Sequence, residues 1–233
     1  HPDEATGARI QGGGIAMIRI LVADDHTIVR EGLKQILGEV NDMVVRAEAA
    51  SGQEALARIR SDVFDVVLLD ISMPGRSGLE ILKEIKAEYP RLPVLILSMH
   101  AEEQYAVRAL RAGASGYLTK SSAPDELIGA IRKVSFGRKY VSASLAEKLA
   151  RELDADTTKP PHEALSDREY QVMLMLASGK SVKEIADELC LSVKTISTYR
   201  ARVMEKMNMK KNAELTLYAV QNNLVDCSMT PFR

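Results

Sequence analysis

Three aspartates and a lysine stand where apolar runs of this chain end. Val66-Val67-Leu68-Leu69 closes on Asp70 and is followed by Ile71-Ser72-Met73-Pro74-Gly75. Ile18-Arg19-Ile20-Leu21-Val22-Ala23 closes on Asp24 and Asp25, and a later run, Gly116-Tyr117-Leu118-Thr119, leads to Lys120. A short leucine and β-branched run ended by Pro-Gly predicts a buried parallel strand leaving its sheet. The carboxyl ends of such strands are where open α/β sheets bind ligands. Two carboxylates about 4 Å apart repel by about 4 kcal/mol at an effective dielectric near 20, so three together call for a cation or a raised pKa. An all-oxygen set favours Mg2+, which keeps several waters and is commonly completed by phosphate. The backbone carbonyl of Ser72 offers one more oxygen, and Lys120 a point charge for an incoming phosphoryl group. With that charge neutralised, the Asp70 carboxylate can attack phosphorus in line. Taken singly, Asp25 or Asp70 is equally well a loop-starting acid or a helix cap. Ser98 and Lys120 closing the next two strands tip the joint pattern toward phosphoryl chemistry. His26 reads as a solvent-facing residue at a helix start, one histidine being thin ground for a transition-metal site.

Strands are predicted over 18–23, 43–49, 65–70, 94–98 and 115–118, with helices over 26–37, 52–59, 77–88, 102–111 and 124–134. Ser51 with Glu54 and Ser77 with Glu80 have capping-box spacing. Five βα units of this length predict an α/β, flavodoxin-like, five-stranded parallel sheet of order 2-1-3-4-5. A helix is expected over 142–153, and the polar, proline-doubled stretch 154–162 reads as a mobile linker. From Leu165 the pattern is helical only. Ser166/Glu169 and Ser181/Glu184 open helices over 167–177 and 182–189, and a three-residue link leads to 193–207 and then 212–222. That is an all-α, four-helix domain holding a helix-turn-helix, its core expected from Leu174, Leu176, Ile185, Leu189, Ile196, Val203, Leu215 and Leu217. The domains are thus expected at 17–134 and 165–225, joined by a linker over 135–164, with a leader over 1–16 and a tail over 226–233.

The 233 residues carry a net charge of −1, so a nucleic-acid surface must be local. It is found between Lys194 and Lys211, where six basic residues meet a single acid, Glu205. Along the 193–207 helix, Ile196, Tyr199, Val203 and Met207 share one face. Lys194, Ser197, Thr198, Ala201 and Glu205 form the opposite stripe, flanked by Arg200, Arg202 and Lys206. Small groups let a helix sit deep in a major groove while bases at its edges grip phosphates. The blander alternative is a solvated charged face. Cys190 and Cys227 have neither zinc spacing nor a disulfide framework and read as inert thiols, which suits a reduced, cytoplasmic setting; no run is long enough for a membrane span. The methionines read as core filling.

The acid pair, the Leu-Leu-Asp-Ile-Ser-Met-Pro-Gly run, Ser98 and Gly-Tyr-Leu-Thr-Lys120 resemble the receiver domain of two-component response regulators. The resemblance implies that Asp70 is the phosphoacceptor, charged by a sensor histidine kinase. It implies that Asp25 binds Mg2+ directly and Asp24 through water. Ser98 would hydrogen-bond the phosphoryl group, and Tyr117 would then turn inward as the switch, the alternative being a half-buried strand aromatic. Ser121 stands where many receivers have proline, which leaves a cis peptide there in doubt, and Ser72 and His100 occupy positions that can tune phosphate lifetime. Leu165-Ser-Asp-Arg-Glu, Lys183-Glu-Ile-Ala, Leu191-Ser-Val-Lys-Thr-Ile and Lys206-Met-Asn-Met resemble the LuxR-type helix-turn-helix. Together the halves resemble the NarL/FixJ class of transcription regulators, which implies double-stranded DNA with two-fold half-sites and a homodimer as partners. Ser197, Thr198 and Ala201 would face bases, and Lys194 and its neighbours the backbone. Two alternatives remain at this point. A haloacid-dehalogenase-like phosphatase also uses an Asp nucleophile, but carries a second Asp where Ser72 stands. An unphosphorylated pseudo-receiver would lack the complete acid set.

Overall fold

The computed structural model describes residues 17–99, 102–142, 145–147 and 160–225. The expected leader, His100, most of the 142–153 helix, most of the 154–162 linker and the tail with Cys227 lie outside the described residues. The first half alternates β1 (Ile18–Ala23), α1 (Thr27–Gly38), β2 (Met43–Ala49), α2 (Gly52–Ser61), β3 (Val66–Asp70), α3 (Gly78–Glu88), β4 (Val94–Ser98), α4 (Glu102–Arg111), β5 (Gly116–Thr119) and α5 (Pro124–Ser135). All strands are parallel, in the order β2-β1-β3-β4-β5. The central strands β3 and β4 are buried along their whole length, which is why they read as unbroken apolar runs. Edge strand β2 alternates, with Val44 and Arg46 on its exposed positions.

Side chains one residue apart on a strand face opposite sides, and two cores result. Ile20, Val22, Val66, Leu68, Leu95 and Leu97 pack on Leu33 and Leu37 of α1 and on Leu127, Ile131 and Val134 of α5. Leu21, Ala23, Val67, Leu69, Val94, Ile96 and Tyr117 pack on α2, α3 and α4. Asp65 falls just before β3; its carboxylate accepts from the backbone N–H of Arg19 at 2.8 Å and pairs with that guanidinium at 2.9 Å.

The second half holds a 3-10 turn, Pro161–Ala164, then α6 (Asp167–Ala177), α7 (Val182–Glu188), α8 (Val193–Lys206) and α9 (Asn212–Gln221). Reciprocal capping boxes open α3, α6 and α7. At α2 the Ser51 hydroxyl accepts from Glu54, but the Glu54 carboxylate reaches back to the Ala50 N–H instead. Each of the last four helices ends in a left-handed residue at C′, namely Gly179, Cys190, Asn208 and Asn223. In each, the next N–H returns to the carbonyl five residues back, as Leu191 does to Ala186 at 2.9 Å. The expected core is met except at Leu217, which is 59% exposed; Leu215 and Ala219, four apart, point inward in its place. Met173, Met175, Met204 and Met207 are buried, as core filling requires.

One apolar cluster runs from the sheet through α4 into α6. Tyr105 meets Tyr170 edge-to-face at 5.6 Å, and the Arg108 guanidinium lies 4.0 Å over the Tyr170 ring. Arg108 also donates to the carbonyls of Leu165 and His162, and Lys83 of α3 pairs with Asp167 at 2.6 Å. Residues 160–164, within the expected 135–164 linker, are tied to α4, where Arg108 donates to the His162 carbonyl and Arg111 to Glu163. Pro161 pre-sets the first 3-10 residue, and His162 Nδ1 lies 2.7 Å from the Tyr218 hydroxyl.

Candidate functional site

Parallel pairing brings the ends of β1, β3, β4 and β5 to one edge of the sheet. Ala23 pairs with Leu69, Asp70 with Leu97, and Ser98 with Thr119. Asp24, Asp70 and Ser98 are buried there, and Asp25 is half-buried. Lys120 crosses from β5 and places Nζ 2.6 Å from Asp24 Oδ2 and 2.9 Å from Asp70 Oδ2. The other Asp70 oxygen, Oδ1, accepts the Ser72 backbone N–H at 3.0 Å. Held at both oxygens, the Asp70 carboxylate has one orientation. Burial pushes that carboxyl above its ordinary value, against the pull of Lys120. Burial pulls the Lys120 ammonium down, but Asp70 and Asp24 outweigh it and hold the lysine above its ordinary value.

Donor atoms of Asp24, Asp25, His26 and Asp70 all lie within 4.8 Å of one another. Asp24 Oδ2 and Asp25 Oδ1 are buried oxygens, the first 2.6 Å from Lys120 Nζ and the second 3.0 Å from His26 Nδ1. Such an oxygen-rich set fits a hard divalent cation. His26 stands exposed at the start of α1, as expected, and it also meets the acids. Its ring is largely exposed, yet Nδ1 lies 3.2 Å from Asp24 and 3.0 Å from Asp25, and its backbone N–H donates to Asp24 at 2.9 Å.

Two features of the site carry no strong sequence signal. Arg30 of α1 donates to the Asp24 carbonyl at 2.7 Å and pairs with Glu48. Gly78 opens α3 so close to the loop after Asp70 that a Cβ would lie 2.5 Å from the Asp70 carbonyl oxygen. The Tyr117 ring is 0% exposed rather than half-buried, enclosed in the cluster that continues through Tyr105 to Tyr170. Among the described residues there is no cis peptide, so the bond after Lys120 is trans.

In the second half of the chain, Ile196, Val203, Met204 and Met207 are buried, and α8 packs on α6 and α7. Lys194, Ser197, Thr198, Ala201 and Arg202 are exposed. Arg200 and Lys206 are not free ends. Arg200 donates to Asn212 Oδ1 at 3.0 Å, and Lys206 pairs at 2.6 Å with Glu169, the capping acid of α6. Burial works to raise the Glu169 carboxyl, but Lys206 and the Ser166 groups overcome it and hold it low. Tyr199 is half-buried, and Cys190 is exposed in the turn. No helix among the described residues is long and apolar enough to cross a membrane.

Residues 20–132 match the family described as response regulator receiver domain, and residues 163–219 match bacterial regulatory proteins, luxR family. Response regulator GacA of Pseudomonas protegens is 40% identical over 213 residues, covering 91% of this chain and 100% of that protein. Response regulator UvrY of Escherichia coli is 38% identical over 209 residues, covering 89% and 96%. Among solved structures, RcsB of Salmonella enterica serovar Typhimurium, bound to promoter rprA in the presence of the phosphomimetic BeF3-, aligns with a TM-score of 0.61. It is 26% identical and covers 87% of this chain and 98% of its own.

Proposed function

The chain belongs to the two-component response regulators that join a receiver domain to a LuxR-type DNA-reading domain, and we propose that Asp70 is its phosphoacceptor. The observation that carries this reading is the fixed Asp70 carboxylate, held between Lys120 Nζ and the Ser72 amide beside Asp24 and Asp25. An Asp70 oxygen attacks the phosphorus of a phosphohistidine on a sensor kinase; the O–P bond forms as the N–P bond breaks, and the imidazole leaves. Asp24, Asp25, Asp70 and the Ser72 carbonyl suit Mg2+, which when bound neutralises charge on the phosphoryl oxygens. Lys120 supplies the remaining positive charge, and Ser98 a hydroxyl for hydrogen bonding. Turnover of small phosphoesters is not expected, because Ser72 offers no general acid where the dehalogenase-like phosphatases carry a second Asp.

The reader, residues 165–225, enters the major groove with α8. Ser197, Thr198 and Ala201 face bases, and Lys194 and Arg202 face phosphates. Arg200 and Lys206 act first as ties within the fold. The receiver, residues 17–134, is coupled to the reader through Tyr105 and Arg108 of α4. Phosphorylation adds up to about two negative charges at Asp70. Ser98 and Lys120 follow that charge and shift α4, loosening its hold on Tyr170 and favouring a symmetric dimer that acts in the cytoplasm. Sedimentation of the full chain before and after treatment with acetyl phosphate and Mg2+ tests the coupling. The expected result is a shift from monomer toward dimer; an unchanged distribution with Asp70 fully phosphorylated would contradict it.

A further inference from the structure

The exposed stripe of α8 has an unusual chemistry for a base-reading surface. Specific readers commonly place Arg, Lys, Asn or Gln over bases, because their paired donors and acceptors match purine edges. No such residue stands at positions 193, 197, 198 or 201. Val193, the first residue of α8, is 51% exposed although apolar. Ser197 and Ala201 follow it at intervals of four and are exposed. Thr198 is exposed too, but its hydroxyl already donates to the Lys194 carbonyl at 3.0 Å. With its proton engaged, Thr198 offers a base its methyl group and, as acceptor only, its hydroxyl oxygen. Nor can the longer side chains nearby simply swing in. Arg200 is tied to Asn212, and Lys206 to Glu169. Lys194 and Arg202 remain, and they also supply the positive charge that grips phosphates.

From this we infer that α8 reads thymine methyl groups, with Val193, Thr198 and Ala201 as the specificity-determining contacts. The C5-methyl of thymine is the one apolar feature of the major groove, and methyl-bearing side chains are its natural partners. The stripe therefore selects A·T pairs at set positions by apolar contact rather than by bidentate hydrogen bonds to guanine. The inference rests on the reading that α8 enters the major groove, and the experiment below separates the failure of one from the failure of the other.

Full-length protein treated with acetyl phosphate and Mg2+ is used to select binders from a random-sequence duplex pool. The selected duplexes are then resynthesised with deoxyuridine in place of thymidine, one position at a time, which removes only the methyl. At least one thymine per half-site is expected to lose about three- to fourfold in affinity, the effect of burying one methyl-sized group. Thr198→Ser, which deletes only a methyl, and Val193→Ala are each expected to erase the thymine-over-uracil preference at one such position. Their salt dependence of binding should stay that of the parent. If affinity stays within twofold for every deoxyuridine, the methyl readout is overturned while groove entry stands. If both variants keep every thymine preference of the parent, the residue assignment is overturned. Selection of no duplex at all would overturn the inference together with the reading beneath it.

Discussion

Lys120→Met removes the one ammonium that separates two buried carboxylates, and its cost can be worked from the geometry. Nζ lies 2.6 Å from Asp24 Oδ2 and 2.9 Å from Asp70 Oδ2, and the lysine side chain is 6% exposed. At an effective dielectric of about 20 each contact is a gross attraction of about 6 kcal/mol. Most of that offsets desolvation; removing one partner of a buried pair costs about 3–5 kcal/mol net. The acids left behind have oxygens within 4.8 Å of one another. They repel by about 3.5 kcal/mol at that separation and the same dielectric, which sets a similar scale. The variant should therefore unfold with about 3–5 kcal/mol less stability in EDTA, read as urea midpoints by circular dichroism, since the chain has no tryptophan. MgCl2 should stabilise it more than the parent, because the divalent ion takes over the charge the ammonium supplied. A loss below about 1 kcal/mol, or equal stabilisation of both proteins by Mg2+, would refute the view that these carboxylates share one electrostatic site.

Four further outcomes are expected. Asp70→Asn should be more stable than the parent at neutral pH without metal, because burial raises the Asp70 carboxyl above its ordinary value of 3.8. The folded state then binds this proton more tightly than the unfolded chain, so the acid favours folding when protonated and opposes it as pH rises through the raised value. The advantage of Asn should shrink as pH falls toward 3.8, which urea midpoints across a pH series will show. Cys190→Gly should raise the stability of the reader by about 1 kcal/mol, because Cys190 sits at φ 52 in a C′ position that glycine occupies without steric cost. An unchanged urea midpoint would contradict that. Alanine at Lys194 and Arg202 should weaken binding to random-sequence duplex and flatten its salt dependence by about one unit of slope each. Lys206→Ala should instead lower reader stability by about 1 kcal/mol with a smaller change in slope, since its ammonium is held by Glu169.

The sheet and its site were largely legible because burial on both faces leaves a plain signal. Val94–Ser98 is an uninterrupted apolar strand, and Pro74-Gly75 ends the run that carries Asp70. Parallel order then brings the four strand ends together without further information. Capping boxes placed the starts of α3, α6 and α7 for a local reason: donor and acceptor lie three residues apart. What periodicity cannot state is which face meets which partner. Leu217 has the composition of a core residue yet points to solvent, and Tyr117 is sealed by a cluster whose outer members, Tyr105 and Tyr170, are 65 residues apart in sequence. Arg108 reads as an ordinary helix-end base until Tyr170 and the Leu165 carbonyl are brought against it. His26 turning Nδ1 onto both acids, and Arg200 and Lys206 being tied down, are likewise tertiary facts. Residue type set what these groups can do; only packing decided what each one faces.

The central claim is that a carboxylate fixed beside two other acids and a lysine takes up phosphorus and that the reader feels it. Intact-mass measurement after incubation with acetyl phosphate and Mg2+, on the full chain and on Asp70→Asn side by side, addresses it most directly. The account predicts a gain of one phosphoryl group on the parent, absent in EDTA and absent from Asp70→Asn. An equal gain on the variant, or none on the parent with Mg2+ present, would contradict it.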